Sequence, residues 1–206
     1  MPSDVEKIKF TLDKHDPNRR TIVVGGGTIT LALAHKGIEP DQIKTLLDVD
    51  VLCSEEYFRS LSSRPDLLTG IERFKIRWPK DRLLERGSTT LALDLDPNAS
   101  ARAKGAVSFT ACVAMSDRYY SMSYEKCQET FETEYCGERS IRISEMLRWL
   151  SIIGREKDLE TVKKILPIAS QAGLLSSADM STIEAEYITS VSTRLETPES
   201  YYSRST

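Results

Sequence analysis

The stretch "TIVVGGGTITLALAHKG", residues 21–37, sets three successive glycines between a β-branched run and a run with helical propensity. A chain that leaves a strand through glycine can turn sharply and bring the next helix close to the sheet, because no Cβ blocks the approach. The helix that follows begins with backbone N–H groups lacking an intrahelical partner, which makes its start a seat suited to a phosphate. The same triplet can equally be a tight corner in a small α/β core. Neither standard phosphate motif is present: no lysine follows as in a P-loop, and G-x-G-x-x-G is absent.

Around this feature, helix and strand signals alternate. "SDVEKIKFTLDKHDP" opens with a capping-box pattern, Ser3 and Glu6, and closes at Pro17, which predicts a first helix. "TIVV" reads as a buried strand, "TITLALAHK" as a helix, "LLDVDVL" as a second strand and "SEEYFRSL" as a short helix from Ser54. "ERFKIRW", "TTLALDLD" and "AVSFTACVAM" read as further strands. Downstream, "SEMLRWLSIIGREKDLETVKKIL" and "SADMSTIEAEYITSVSTRL" carry apolar residues at helical spacing, broken at Gly154 and Gly173. The expected architecture is therefore α/β in the α+β sense: a mixed sheet flanked by helices over residues 1–138, a C-terminal helical portion over 139–196, and a flexible tail over 197–206.

The second strand carries the strongest chemical signal. Asp48 and Asp50 are one residue apart in an otherwise apolar run, so strand alternation puts both on one face, where they can converge on one cation. Like charges in a poorly solvated setting repel, and a divalent metal or a basic partner is the natural compensation. The competing reading is a strand end with both carboxylates in water. A second pair, Asp94 and Asp96, shares a face of the strand "TTLALDLD". Asp94, with leucine on both sides, is preferred as a third carboxylate over Asp96, which precedes Pro97 and can simply mark the strand's exit. Three carboxylates around Mg²⁺ suit nucleotidyl transfer.

"VVGGGTITLALAHKG" followed by "LDVDV" resembles the glycine-pair and Asp-x-Asp signature of the DNA polymerase β-like nucleotidyltransferase superfamily. The branch it resembles includes the nucleotidyltransferase toxins of abortive-infection and type IV toxin-antitoxin systems. That branch also carries a helix ending in Gly-Arg-x-Lys-Asp, matched here by Gly154, Arg155, Lys157 and Asp158, so the likeness spans roughly residues 20–168. "IEPDQIK" lengthens the connection before the aspartates and leaves Lys44 as the basic residue ahead of them. The resemblance implies a nucleotidyltransferase core and a Mg²⁺- or Mn²⁺-dependent transfer from an NTP. It implies that Asp48, Asp50 and Asp94 act as metal ligands and catalytic groups. Gly26, Gly27, Thr28, Arg155, Lys157 and Asp158 are implied as the residues that hold the triphosphate or an acceptor phosphate.

The acceptor implied is RNA, such as a tRNA end, or a protein hydroxyl, with an antitoxin protein as a further partner. A small-molecule acceptor of the antibiotic type is the alternative within the enzyme class, and a non-catalytic nucleotide- or partner-binding member of the fold is the alternative outside it. With 28 basic and 31 acidic residues the net charge is −3, so any nucleic-acid contact must come from a local patch. "RFKIRWPKDR" is one such candidate track, though an ordinary solvated strand face accounts for it as well. Four cysteines without a CxxC pair, no signal-peptide pattern and no apolar stretch of roughly 20 residues give the expectation of a reduced, cytoplasmic chain with no membrane role. His15 and His35 have no partner at ligand spacing and are assigned no role.

Overall fold

The computed structural model describes residues 3–40, 48–54, 56–57, 90–93, 106–110, 112–115 and 120–196. The chain is α+β and divides into two compact units, 1–142 and 143–206. The division falls four residues beyond the 138/139 boundary expected, because residues 138–141 form a strand of the first unit's sheet.

In the first unit, α1 (Asp4–His15) is opened by the expected capping box: the Ser3 hydroxyl accepts from the Glu6 N–H, and the Glu6 carboxylate accepts from the Ser3 N–H at 2.7 Å. Next come β1 (Ile22–Val24), α2 (Gly25–His35), β2 (Asp48–Leu52), β3 (Thr90–Leu93) and β4 (Ala106–Thr110). They are followed by β5 (Cys112–Met115), β6 (Tyr120–Ser123), a single turn α3 (Tyr124–Lys126) that continues as a π-helical turn to Phe131, β7 (Glu132–Tyr135) and β8 (Glu138–Ile141).

The main sheet is mixed, in the order β3-β4-β2-β1-β8-β7. β1 pairs antiparallel with β2 and parallel with β8, which makes the three-residue "IVV" a central strand. Its residues are all buried, together with Ile29, Leu31 and Leu33 of α2, Ile8 and Leu12 of α1, and Val51 and Leu52 of β2. These aliphatic side chains form the core that the alternating pattern predicts.

Two features depart from the sequence expectation. "AVSFTACVAM" is two strands rather than one: β4 belongs to the main sheet, whereas β5 pairs with β6 in a separate two-stranded sheet. No glycine or proline marks that break, so periodicity alone could not reveal it. The β7–β8 hairpin was not anticipated. Its two-residue loop, Cys136 at φ 56° and Gly137 at φ 84°, has both residues in the left-handed region, as tight hairpin turns require.

The second unit contains α4 (Ile143–Ile153), α5 (Glu156–Gln171) and α6 (Ser177–Glu196). Gly154, at φ +65°, ends α4 in the left-handed conformation that favours glycine. The Ser190 hydroxyl of α6 donates to the Ser151 carbonyl at 2.6 Å, tying α6 to the last turn of α4. The tail, 197–206, lies outside the described residues. Among the described residues no helix is long and apolar enough to cross a membrane.

Glu145 on α4 is the anomalous residue of this unit. It is buried, its Oε1 has no hydrogen-bond partner among the described residues, and Oε2 lies 3.6 Å from Arg148 Nη1. Burial outweighs the attraction of Arg148 and raises the carboxyl pKa. The folded state therefore holds this proton to higher pH than the unfolded chain, and stability contributed by the group falls as pH rises above roughly 4.3. Glu145→Gln should flatten that decline and be at least as stable as wild type at pH 7; denaturant midpoints measured from pH 4 to 8 check the sign.

Candidate functional site

The glycine triplet is not a loop ahead of the helix; it is the helix's first turn, since α2 runs from Gly25 itself. Each end of the triplet is held to glycine by a different constraint. Gly25 has φ +64°, and a Cβ there would stand 2.7 Å from Asp50 Oδ2. The Asp50 carboxylate is thus seated against the first residue of α2. A Cβ on Gly27 would stand 2.6 Å from Val23 Cγ1, so this position lets α2 lie directly on β1.

The strand pairing explains how Asp50 arrives there. In the β1–β2 register Val24 faces Asp50, so the residue just before the helix and the aspartate are cross-strand partners. β1 ends at Val24, α2 begins at once, and the neighbouring strand carries a carboxylate at that level. The positive end of the α2 dipole lies where that negative charge sits, a favourable arrangement. Val24 is the N-cap and supplies no side-chain cap.

Asp48 lies on the same strand two positions away, the spacing at which strand positions share a sheet face. Asp94, Asp96 and Lys44 lie outside the described residues, as does the basic stretch 73–82. Among the described residues there is no group of three or more His, Cys, Asp or Glu that could hold a metal ion. The oxygen donors of Asp48 and Asp50 are of the hard type that Mg²⁺ and Mn²⁺ prefer.

Thr28 has a core assignment. It is fully buried, its hydroxyl donates to the Val23 carbonyl at 2.9 Å, and the Ser140 hydroxyl of β8 lies 3.0 Å from it and 3.1 Å from the same carbonyl. This hydroxyl pair joins α2, β1 and β8. Gly26 is half-buried in the first turn.

Arg155, Lys157 and Asp158 belong to the second unit. Arg155 is the N-cap of α5, and Asp158 is the third residue of that helix and buried. The Arg155 guanidinium donates to both Asp158 oxygens, the Nη2 bond at 3.1 Å, while the Asp158 N–H donates to the Arg155 carbonyl at 2.8 Å. Two of the three residues therefore build the start of α5, and Lys157 is exposed. His35 closes α2, edge-on to the Tyr135 ring at 5.8 Å.

The residue that sequence reasoning passed over is Gly25. It was visible as a member of the triplet, but its contact with Asp50 follows only from the β1–β2 register.

No family model matches the chain, and no curated protein sequence matches it significantly.

The two constrained glycines should respond differently to substitution. Gly27→Val forces the Val23 side chain out of a packed core and should cost about 2 kcal/mol or more, read as a lowered denaturant midpoint. Gly25→Ala should strain the backbone by roughly 1–2 kcal/mol and displace the Asp50 carboxylate, a loss read as a lowered denaturant midpoint.

Proposed function

We propose that this chain is a Mg²⁺-dependent nucleotidyltransferase that moves a nucleotide from an NTP to an acceptor hydroxyl, with RNA, such as a tRNA end, or a protein as the acceptor. The observation that carries the reading is the seating of the Asp50 carboxylate against the glycine that begins α2, with Asp48 two positions away on the same strand. A carboxylate beside the start of a helix suits a metal-bound triphosphate: oxygen donors for the ions, and the positive end of the helix dipole for the phosphates.

A divalent ion bound there would neutralise charge on the triphosphate and on the attacking oxygen. The chain's own contributions are distinct from that. Asp48 and Asp50 would hold the ions from positions two apart on β2, a strand inside the main sheet. Gly26, half-buried, is the position of the first turn of α2 that would let a phosphate approach, while Gly27 packs the helix on β1. The resemblance implies Asp94, next in sequence after β3, as the third carboxylate. β3 ends at Leu93, which pairs with Val107 of β4, and Val107 pairs in turn with Val49, the residue between the two aspartates.

Of the residues the resemblance implies in the second unit, Lys157 is exposed, whereas Arg155 and Asp158 bind one another. The resemblance to toxin nucleotidyltransferases further supports an antitoxin protein as a partner.

The direct test is incubation with each labelled NTP, Mg²⁺ and either total RNA or protein extract. Label should move to one acceptor class. Asp50→Asn should reduce transfer by roughly 10³-fold, several kcal/mol of lost transition-state stabilisation, while losing only the dipole contribution of about 1 kcal/mol or less from stability. Absence of transfer with every NTP and both extracts would refute the catalytic assignment. Lys157→Ala should lower turnover and flatten its dependence on ionic strength; unchanged kinetics would remove Lys157 from the site.

A further inference from the structure

Within the second unit, "ISEMLRWL" places Glu145 in the first turn of α4, where a negative charge suits the helix dipole. The same residue lines a cavity shared by α4 and α6. Its volume is about 190 Å³, and its walls are Glu145 and Arg148 of α4 and Ala178, Asp179, Thr182 and Ile183 of α6, among others. Glu145 is only 6% exposed, and its Oε1 has no hydrogen-bond partner among the described residues. A buried carboxylate oxygen without a donor is costly, and a group in the cavity that donates to it removes that cost.

The neighbours of Glu145 leave that oxygen open. Arg148 Nη1 lies 3.6 Å from Oε2, so the guanidinium addresses one oxygen of the carboxylate and not the other. Asp179 is close enough to repel the Glu145 charge. Asp179 Oδ2 accepts from the Ser176 N–H at 2.9 Å and hydroxyl at 2.7 Å; these donors are neutral and do not cancel its charge. The lining thus holds two carboxylates and one guanidinium, and among the described residues nothing from α5 contributes to it. The starts of α4 and α6 add partial positive charge, which makes the two carboxylates tolerable together without bringing a donor to Oε1.

The chemistry of the walls selects among cationic donors. Among the described residues no three side chains gather to hold a metal ion, and a guanidinium 3.6 Å from Oε2 opposes a divalent cation. A second guanidinium would need both carboxylate oxygens for its fork, and Oε2 already faces Arg148. An ammonium is a compact donor that one open oxygen can hold. The Thr182 hydroxyl, which donates to the Ala178 carbonyl at 2.9 Å, keeps its oxygen as a second acceptor. Buried Ile183, with Ala178, gives an apolar wall for an alkyl stem.

We propose that this cavity binds a primary ammonium group on an alkyl stem, supplied by a lysine side chain of a partner protein or by a free alkylamine, with Glu145 Oε1 as the acceptor. The ligand supplies the donor that the fold leaves out. The assignment lies wholly within the second unit and does not depend on the catalytic reading.

The experiment is calorimetric titration of the full chain at neutral pH with three probes: n-butylamine, a blocked glycine-lysine-glycine peptide, and the same peptide with norleucine in place of lysine. The two amines should saturate in the millimolar range, and the norleucine peptide should not bind. Glu145→Gln, which should fold at least as stably as wild type, should weaken amine binding about tenfold or more. A denaturant midpoint measured on the same variant verifies that the loss is not unfolding. Tighter binding of the lysine peptide than of butylamine identifies a protein side chain as the source of the ammonium; equal or weaker binding identifies a free amine. If neither amine saturates in the millimolar range, the cavity holds solvent only and the proposal is overturned. Binding of the norleucine peptide as tight as that of the lysine peptide, or a Glu145→Gln affinity equal to wild type, overturns it as well.

Discussion

The first unit depends on how closely α2 can lie against β1. A Cβ at residue 27 would fall 2.6 Å from Val23 Cγ1, so the helix and strand meet at a distance that only glycine permits. That closeness lets the Thr28 hydroxyl reach the Val23 carbonyl and the Ser140 hydroxyl reach both. Each of these groups is buried, and a buried hydroxyl without a partner costs about 1–3 kcal/mol. The β1–β8 pairing and the position of α2 therefore support one another: moving the helix outward would break the polar contacts as well as the apolar ones.

With β1 only three residues long, the turn into α2 comes at a definite level of the sheet. The antiparallel neighbour β2 runs past that level and carries Asp50 opposite Val24. Packing and electrostatics coincide here, since the glycine that permits the turn also leaves room for the carboxylate. A helix start without a side-chain cap beside a negative group is stabilised through the dipole, and the same field would act on any phosphate brought there.

The strand–glycine–helix–strand order, the capping box at Ser3 and the helical character of the C-terminal third were legible because each rests on local chemistry: β-branching, a side chain that bonds its own backbone, and apolar spacing. The carboxylate pair was legible for the same reason, as two positions of one strand. Three features were not. The Asp50–Gly25 contact depends on register, a non-local property. The hairpin at Cys136–Gly137 uses cysteine where asparagine or aspartate would have advertised positive φ. The Arg155–Asp158 pair read as functional because its residue types suit phosphate binding, whereas burial of Asp158 and its bond to the N-cap serve the start of α5. Residue type cannot separate a cation facing a ligand from one facing its own helix.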